Sequence, residues 1–143
     1  MNLKLTVLAL SALLAAAGCA STKKDDGLVN GCPAGSSKVK SLDDLIEAKL
    51  EKAGSIPHID VVDMRCSNRS GLLRIDADLK NTSRDVRRVA YRFRWLDREG
   101  MRAADDEAWK PLLIYGNTLY TITTTSPSQD AADFRLVLMD QDK

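Results

Sequence analysis

Between Ser41 and Met139 the spacing of apolar residues changes once. Leu42, Leu45, Ile46, Leu50 and Ala53 recur at helical intervals, which predicts one short helix over 41–53. Ser41 precedes it as an N-cap, with Asp44 placed to close a capping box, and Gly54 follows as a stop. From Ile56 onward the period is two. "HIDVVDMRC" puts Val62, Met64 and Cys66 on one side. In "LLRIDADLK", Leu73, Ile75, Ala77 and Leu79 alternate with Arg74, Asp76, Asp78 and Lys80, which describes a strand with one buried and one wet face. "VRRVAYRFRWLD" likewise sets Val89, Tyr91, Phe93 and Trp95 against Arg88, Ala90, Arg92 and Arg94. "WKPLLIYG" and "TLYTITTT" flank Gly116-Asn117, a hairpin signal, and Pro111 marks the first as an edge or irregular strand. "DFRLVLMD" closes the series with Phe134, Leu136 and Leu138 inward. About six short strands, with turns roughly every 8–12 residues, predict a mainly β fold: an antiparallel sandwich or a small barrel.

The N-terminus follows a different pattern. Leu5 to Ala17 is a run of apolar and small residues behind Lys4. As a helix it is shorter than the ~20 residues that cross a bilayer, and it reads as a secretory signal. Ala16, Ala17 and Gly18 then lead directly into Cys19. This resembles the bacterial lipobox, in which signal peptidase II cleaves before a diacylglyceryl-modified cysteine, with Ala16 standing where leucine is usual. The resemblance implies lipidation at Cys19. An ordinary secretory signal with an unmodified cysteine is the other reading. Ala20, in place of an aspartate that retains lipoproteins in the inner membrane, implies the periplasmic face of the outer membrane. Two or more acyl chains anchor stably where one does not. The expected organisation is a signal peptide over 1–18, a flexible tether over 19–40 that is small, polar and Gly/Pro-punctuated, and a helix-plus-sandwich domain over 41–143.

Charge adds little. There are 21 Lys and Arg against 20 Asp and Glu, and without Lys4 the two balance, so no nucleic-acid partner is expected. Cys32 and Cys66 are the cysteines left besides Cys19. In an oxidising compartment they are candidates for a disulfide that staples the N-terminal extension to the body, with two reduced thiols as the alternative. His58 is the one histidine, and no ligand-spaced partner stands near either cysteine, so neither a metal nor a cofactor is expected.

"DLKNTS", "YRFRWLDREG", a following Trp and "SPSQDAADFRLVL" together resemble the YcfL-type periplasmic lipoproteins. Their pattern falls on Asn81, Ser83, Tyr91, Phe93, Trp95, Asp97 and Gly100, then on Trp109, Pro127, Ala131, Ala132, Phe134, Arg135 and Leu136. It spans His58 to Met139. The resemblance implies an immunoglobulin-like antiparallel β-sandwich held on outer-membrane lipid, and it carries over no catalytic residue. The helix and the cysteine pair lie outside it.

Candidate sites are few. Arg88, Arg92 and Arg94 share one predicted sheet face, and Trp109 follows an acidic loop. Guanidinium forks suit carboxylates and phosphates, which peptidoglycan stems, lipid headgroups and acidic protein patches all offer. The competing reading is a solvated face whose arginines pair with acids of a neighbouring strand such as Asp76 and Asp78. An exposed Trp109 would instead stack on sugar rings. No nucleophile–histidine–acid order is recognisable, and Asp105, Asp106 and Glu107 read as a solvated loop, so catalysis is not expected. The expected function is that of a non-enzymatic, membrane-anchored module that meets an envelope protein through the arginine face or the edge of "TLYTITTT". A peptidoglycan- or glycan-binding lipoprotein is the alternative, and a purely structural envelope protein a third reading.

Overall fold

A computed structural model describes residues 28–35 and 38–142; the signal segment and Cys19 lie outside the described residues. In chain order the elements are β1 (Leu28–Val29), β2 (Cys32–Pro33), α1 (Leu42–Lys49), β3 (Leu50–Ala53), β4 (Ile59–Arg69), β5 (Leu72–Asn81), β6 (Arg87–Leu96), β7 (Lys110–Ile114), β8 (Leu119–Thr125) and β9 (Asp133–Asp140). Two sheets carry the body, one ordered β4-β5-β8 and the other β3-β9-β6-β7. All pairings in them are antiparallel except β3 with β9. This is the expected mainly β sandwich, with β4-β5-β8 facing β6-β9 in the strand order of immunoglobulin-like folds.

The alternation of β5, β6 and β9 is realised as read. Ile75, Ala77 and Leu79 meet Phe93, Trp95, Phe134 and Leu136 in one core. The rings of Phe93 and Trp95 stack at 5.7 Å, and Phe134 lies 6.1 Å and 6.5 Å from them. Burying side chains of this size stabilises by about 1.5–3 kcal/mol each. The indole N–H of Trp95 is not left unpaired in that core; it donates to Glu107 Oε1 at 2.9 Å.

Four local expectations are corrected. The helix starts as read, with Ser41 and Asp44 forming a full capping box, but it ends at Lys49. Leu50 to Ala53 pair in parallel with Leu136 to Met139 instead of adding a helical turn, because the free edge of β9 offers a ladder of backbone hydrogen bonds. Gly54, at φ 90°, turns the chain after that strand and does not cap the helix. In β4 a bulge between Val61 and Asp63 shifts the phase. Val62 is therefore exposed, Val61 packs against the core, and Asp63 accepts the N–H of Met64 at 2.8 Å. Gly116-Asn117 does not close a hairpin, since β7 pairs with β6 and β8 with β5. The turn carries the chain from one sheet to the other. Finally, residues 28–35 of the expected tether form a β1-β2 hairpin on the edge of β4. Cys66 N–H donates to Asn30 O at 3.0 Å, and Cys32 is fully buried.

Cys32 and Cys66 form a disulfide across a sequence separation of 34. Gly31 fits beneath it because a Cβ there would come within 2.2 Å of Cys66 O. A second fixed point sits at the sheet-to-sheet turn. Asn81 is fully buried, and its amide donates to Asp85 O at 2.8 Å and Ile114 O at 3.0 Å while its oxygen accepts Ser83 N–H at 2.9 Å.

Replacing both Cys32 and Cys66 by serine should lower the unfolding free energy by about 3–4 kcal/mol in urea titrations, from the entropy of an opened loop of this length. Reduced wild-type protein should match the double variant. Asn81→Leu should cost on the order of 3 kcal/mol, because the buried Ile114 carbonyl and the part-buried Asp85 carbonyl lose the Asn81 amide. A urea midpoint unchanged from wild type would remove Asn81 from this role.

Candidate functional site

The outer face of the β3-β9-β6-β7 sheet holds the predicted arginine row. Alternation along β6 turns Arg88, Ala90, Arg92 and Arg94 away from the core. Strand register then sets Arg94 beside Arg135 and Arg92 beside Val137, with Glu51 on the far side of Val137. The acids that answer these arginines are not Asp76 and Asp78, because β5 belongs to the other sheet. They come from β3 and from the loop before β7. Arg94 Nη1 donates to Glu51 at 3.0 Å and 3.2 Å. The Asp106 carboxylate lies 3.6 Å from Arg92, 3.8 Å from Arg94 and 3.5 Å from Arg102. One loop carboxylate thus collects three guanidiniums.

Asp76 and Asp78 are engaged on their own sheet. Thr123 donates to Asp76 at 2.7 Å and Thr121 to Asp78 at 2.6 Å, and Arg65 forks onto Asp78 at 3.0 Å and 3.2 Å. The Arg65 hydrogen bonds hold the Asp78 carboxyl below the usual carboxylate range.

Trp109 comes together with the row, but as its packing partner. The Arg92 guanidinium lies 4.6 Å from the ring centroid and covers one indole face. Arg88 is set apart from Arg92 and Arg94. Its cross-strand neighbour is Leu113, and its side chain is exposed, while only its backbone is engaged, donating to Asp142 at 3.0 Å. Glu107, read as solvated, reaches Trp95 and also takes Lys110 at 2.7 Å. The remaining candidates hold structure. Asp97 accepts the N–H groups of Glu99 and Met101 at 3.0 Å and 2.7 Å, closing the turn before Gly100. His58 is exposed at φ 65°, and its carbonyl accepts Thr82 N–H at 2.9 Å.

A cleft of about 690 Å³ opens between α1 and the 97–100 turn. Its floor is Lys49, 1% exposed, which donates to Asp133 at 2.6 Å; Asp133 also takes Arg135 at 3.1 Å. Burial pushes the Lys49 ammonium below its ordinary value, against the pull of Asp133. Lys49 and Arg135 share Asp133 there, and Asp44, Glu47, Asp97, Arg98 and Glu99 add further charges of both signs around the cleft.

Val86, Leu113 and Leu119, which sequence patterning passed over, are exposed large apolar side chains, as are the tyrosines Tyr115 and Tyr120. The available signal was "LLIY", where apolar residues occupy both faces of a strand already marked as an edge by Pro111. Asp106→Asn should destabilise the fold by about 1 kcal/mol at low ionic strength, by leaving three neighbouring guanidiniums without their shared anion. In 1 M salt, where screening acts within ~3 Å, the deficit should shrink. A salt-independent deficit in chemical denaturation would point to packing instead of charge.

The sandwich is similar to two crystal structures. One is cj0090 of Campylobacter jejuni, 23% identical, with a TM-score of 0.57, covering 65% of this chain and 98% of that one. The other is a DUF1425 family member from Shewanella sp. pv-4, 26% identical, with a TM-score of 0.54, covering 59% of this chain and 80% of that one. No curated protein matches the chain. The model of a family described as a protein of unknown function, DUF1425, matches residues 47–140, from the last turn of α1 to the end of β9, and the chain belongs to that family.

Proposed function

We propose that this protein is a lipoprotein of the bacterial outer membrane, of the YcfL type, whose sandwich acts without catalysis by binding a protein of the cell envelope. The observation that carries the reading is the apolar run Leu5–Ala17 ending at Ala16-Ala17-Gly18-Cys19. Acyl chains on Cys19 hold the protein at the periplasmic leaflet, which raises its effective concentration toward partners there. A covalent link between Cys32 and Cys66 fits an oxidising compartment. The pairing of Arg92, Arg94 and Arg102 with Asp106 and Glu51 supports a role for those arginines in holding the sheet face, and it leaves other surfaces to do the binding. The guanidinium over Trp109 occupies a ring face that a sugar would need, which favours a protein partner over a glycan.

Radiolabelled palmitate should be incorporated into the wild type and not into Cys19→Ser. The wild type should sediment with outer-membrane fractions, and the variant should appear in periplasmic extract. Whole-cell chemical cross-linking should trap one envelope protein on the anchored form. An unlabelled, freely soluble wild type, or one that fractionates with purified sacculi and no protein, would overturn the proposal.

A further inference from the structure

Eight large apolar side chains are exposed among the described residues, and five of them, Val86, Leu113, Tyr115, Leu119 and Tyr120, lie on or beside β7 and β8. Register explains the grouping. Leu113 stands across from Arg88 on the outer face of β6-β7, and continuing that register sets Tyr115 across from Val86. Leu119 and Tyr120 begin β8, four residues after Tyr115. The loop of Arg84 closes the same corner: Asn117 N–H donates to Ser83 O at 2.9 Å, and a Cβ on Gly116 would come within 2.0 Å of Arg84 O.

The corner adjoins an unprotected strand edge. Asn81 N–H donates to Thr118 O, and Ser126 N–H donates to Leu73 O. In an antiparallel ladder those bonds alternate, so Leu119, Thr121, Thr123 and Thr125 turn their N–H and C=O groups away from β5. No strand lies beyond β8 in its sheet among the described residues. Two of the three other edges of these sheets are guarded: β4 by the disulfide-held hairpin, and β7 by Pro111, which has no N–H to offer; the third, β3, is only four residues long. Leu119–Thr125 contains no charge, proline or bulge, the usual devices that keep an edge from accepting a strand.

Charge selects the partner. Arg65, Arg87, Arg92, Arg94, Arg102 and Arg135 each lie within 4 Å of a carboxylate. The exposed side chains of Arg84, in the loop that closes this corner, of Arg88, opposite Leu113 on β6, and of Lys80, opposite Leu119 on β5, have no such carboxylate among the described residues; Lys52, Arg69 and Arg98 are unpaired in the same sense elsewhere on the surface. A second copy of this chain would bring the same cations, Lys80, Arg84 and Arg88, against one acid of that segment, Asp85. A membrane surface would leave the backbone groups of β8 without partners.

From this juxtaposition we infer that β8 is the docking edge for an extended segment of another protein, which adds as a strand, rests apolar side chains against Tyr115, Leu119 and Tyr120, and presents carboxylates to Arg84 and Arg88. The inference rests on the reading of the protein as an envelope interaction module and names the surface and chemistry of its partner. Backbone bonds to β8 supply affinity, and the two arginines set orientation and on-rate.

The test places the photo-cross-linker p-benzoylphenylalanine at Thr121 or Tyr115 in the full-length anchored protein, with Ser67 and Arg69 as control positions. Irradiation of whole cells should join Thr121 and Tyr115, and not the controls, to one segment rich in Asp or Glu, identified by mass spectrometry. Arg84→Glu with Arg88→Glu, both on the surface, should cut the adduct yield by about tenfold. Lysines in place of the segment's acids should restore it. Thr123→Pro should abolish it, while Thr123→Ala, which also loses the hydroxyl bond to Asp76 but keeps the outward N–H, should not. Adducts between two copies, adducts with phospholipid, equal adducts at the controls, or no adduct at either corner position would each overturn the inference. If chemical cross-linking still trapped an envelope protein in that case, the module reading would stand and only the surface would be wrong.

Discussion

The arrangement of the two sheets depends on one buried amide. Asn81 ends β5 in one sheet and donates to Ile114 O, which ends β7 in the other. It also holds Asp85 O and Ser83 N–H, so the loop into β6 is fixed by the same side chain. The Ser83 hydroxyl stands 2.8 Å from Asn81 Oδ1 and 3.0 Å from Asp85 O, closing the group. In a low-dielectric interior a fully satisfied group of this kind is strong, and a partly satisfied one is costly. The Asn-x-Ser spacing is therefore a mechanical requirement of the corner: the serine two residues on completes the hydrogen bonding of the asparagine. The crossover from β7 to β8, and with it the placing of the exposed corner, follows from that bond set.

The surface charges divide into two kinds. On the outer face of β6 the guanidiniums are gathered by Asp106 and Glu51, which draws the 98–108 loop and the short strand β3 onto the sheet. On the β4-β5-β8 sheet, Arg65, Asp63 and Asp78 do the same with help from threonines. Exposed ion pairs of this type each contribute little to stability. Their effect here is to hold loops and strands in place, while Arg84 and Arg88, like Lys52, Arg69, Lys80 and Arg98, pair with no carboxylate among the described residues.

Periodicity carried much of the fold. The alternation in "LLRIDADLK", "VAYRFRW" and "DFRLVLMD" assigned the inward faces of β5, β6 and β9 as they stand. The capping box at Ser41 was legible because its signal is local. What failed was nonlocal. The bulge after Val61 inverts Val62 without a Gly or Pro to announce it. Leu50–Ala53 fits a helix by spacing, yet the open edge of β9 claims it. Gly116-Asn117 names a tight turn but not the sheets that its two strands join. The acids opposite Arg92 and Arg94 could not be read at all, since register across three strands and a long loop decides that Asp106 and Glu51 arrive there. Arg88 shares a face with them by alternation and is separated from them by its neighbour in β7.

The disulfide-held hairpin has a mechanical meaning. The described part of the hairpin begins at Leu28, beside β4, while β8 is the opposite edge of the same three-stranded sheet. Any pull between Leu28 and a body gripping β8 runs across the strands, the direction in which hydrogen-bonded ladders peel apart one bond at a time. The first seam on that load path, between hairpin and β4, is crossed by the covalent Cys32–Cys66 bond, so traction enters the sheet near the middle of β4 and not at a frayed end.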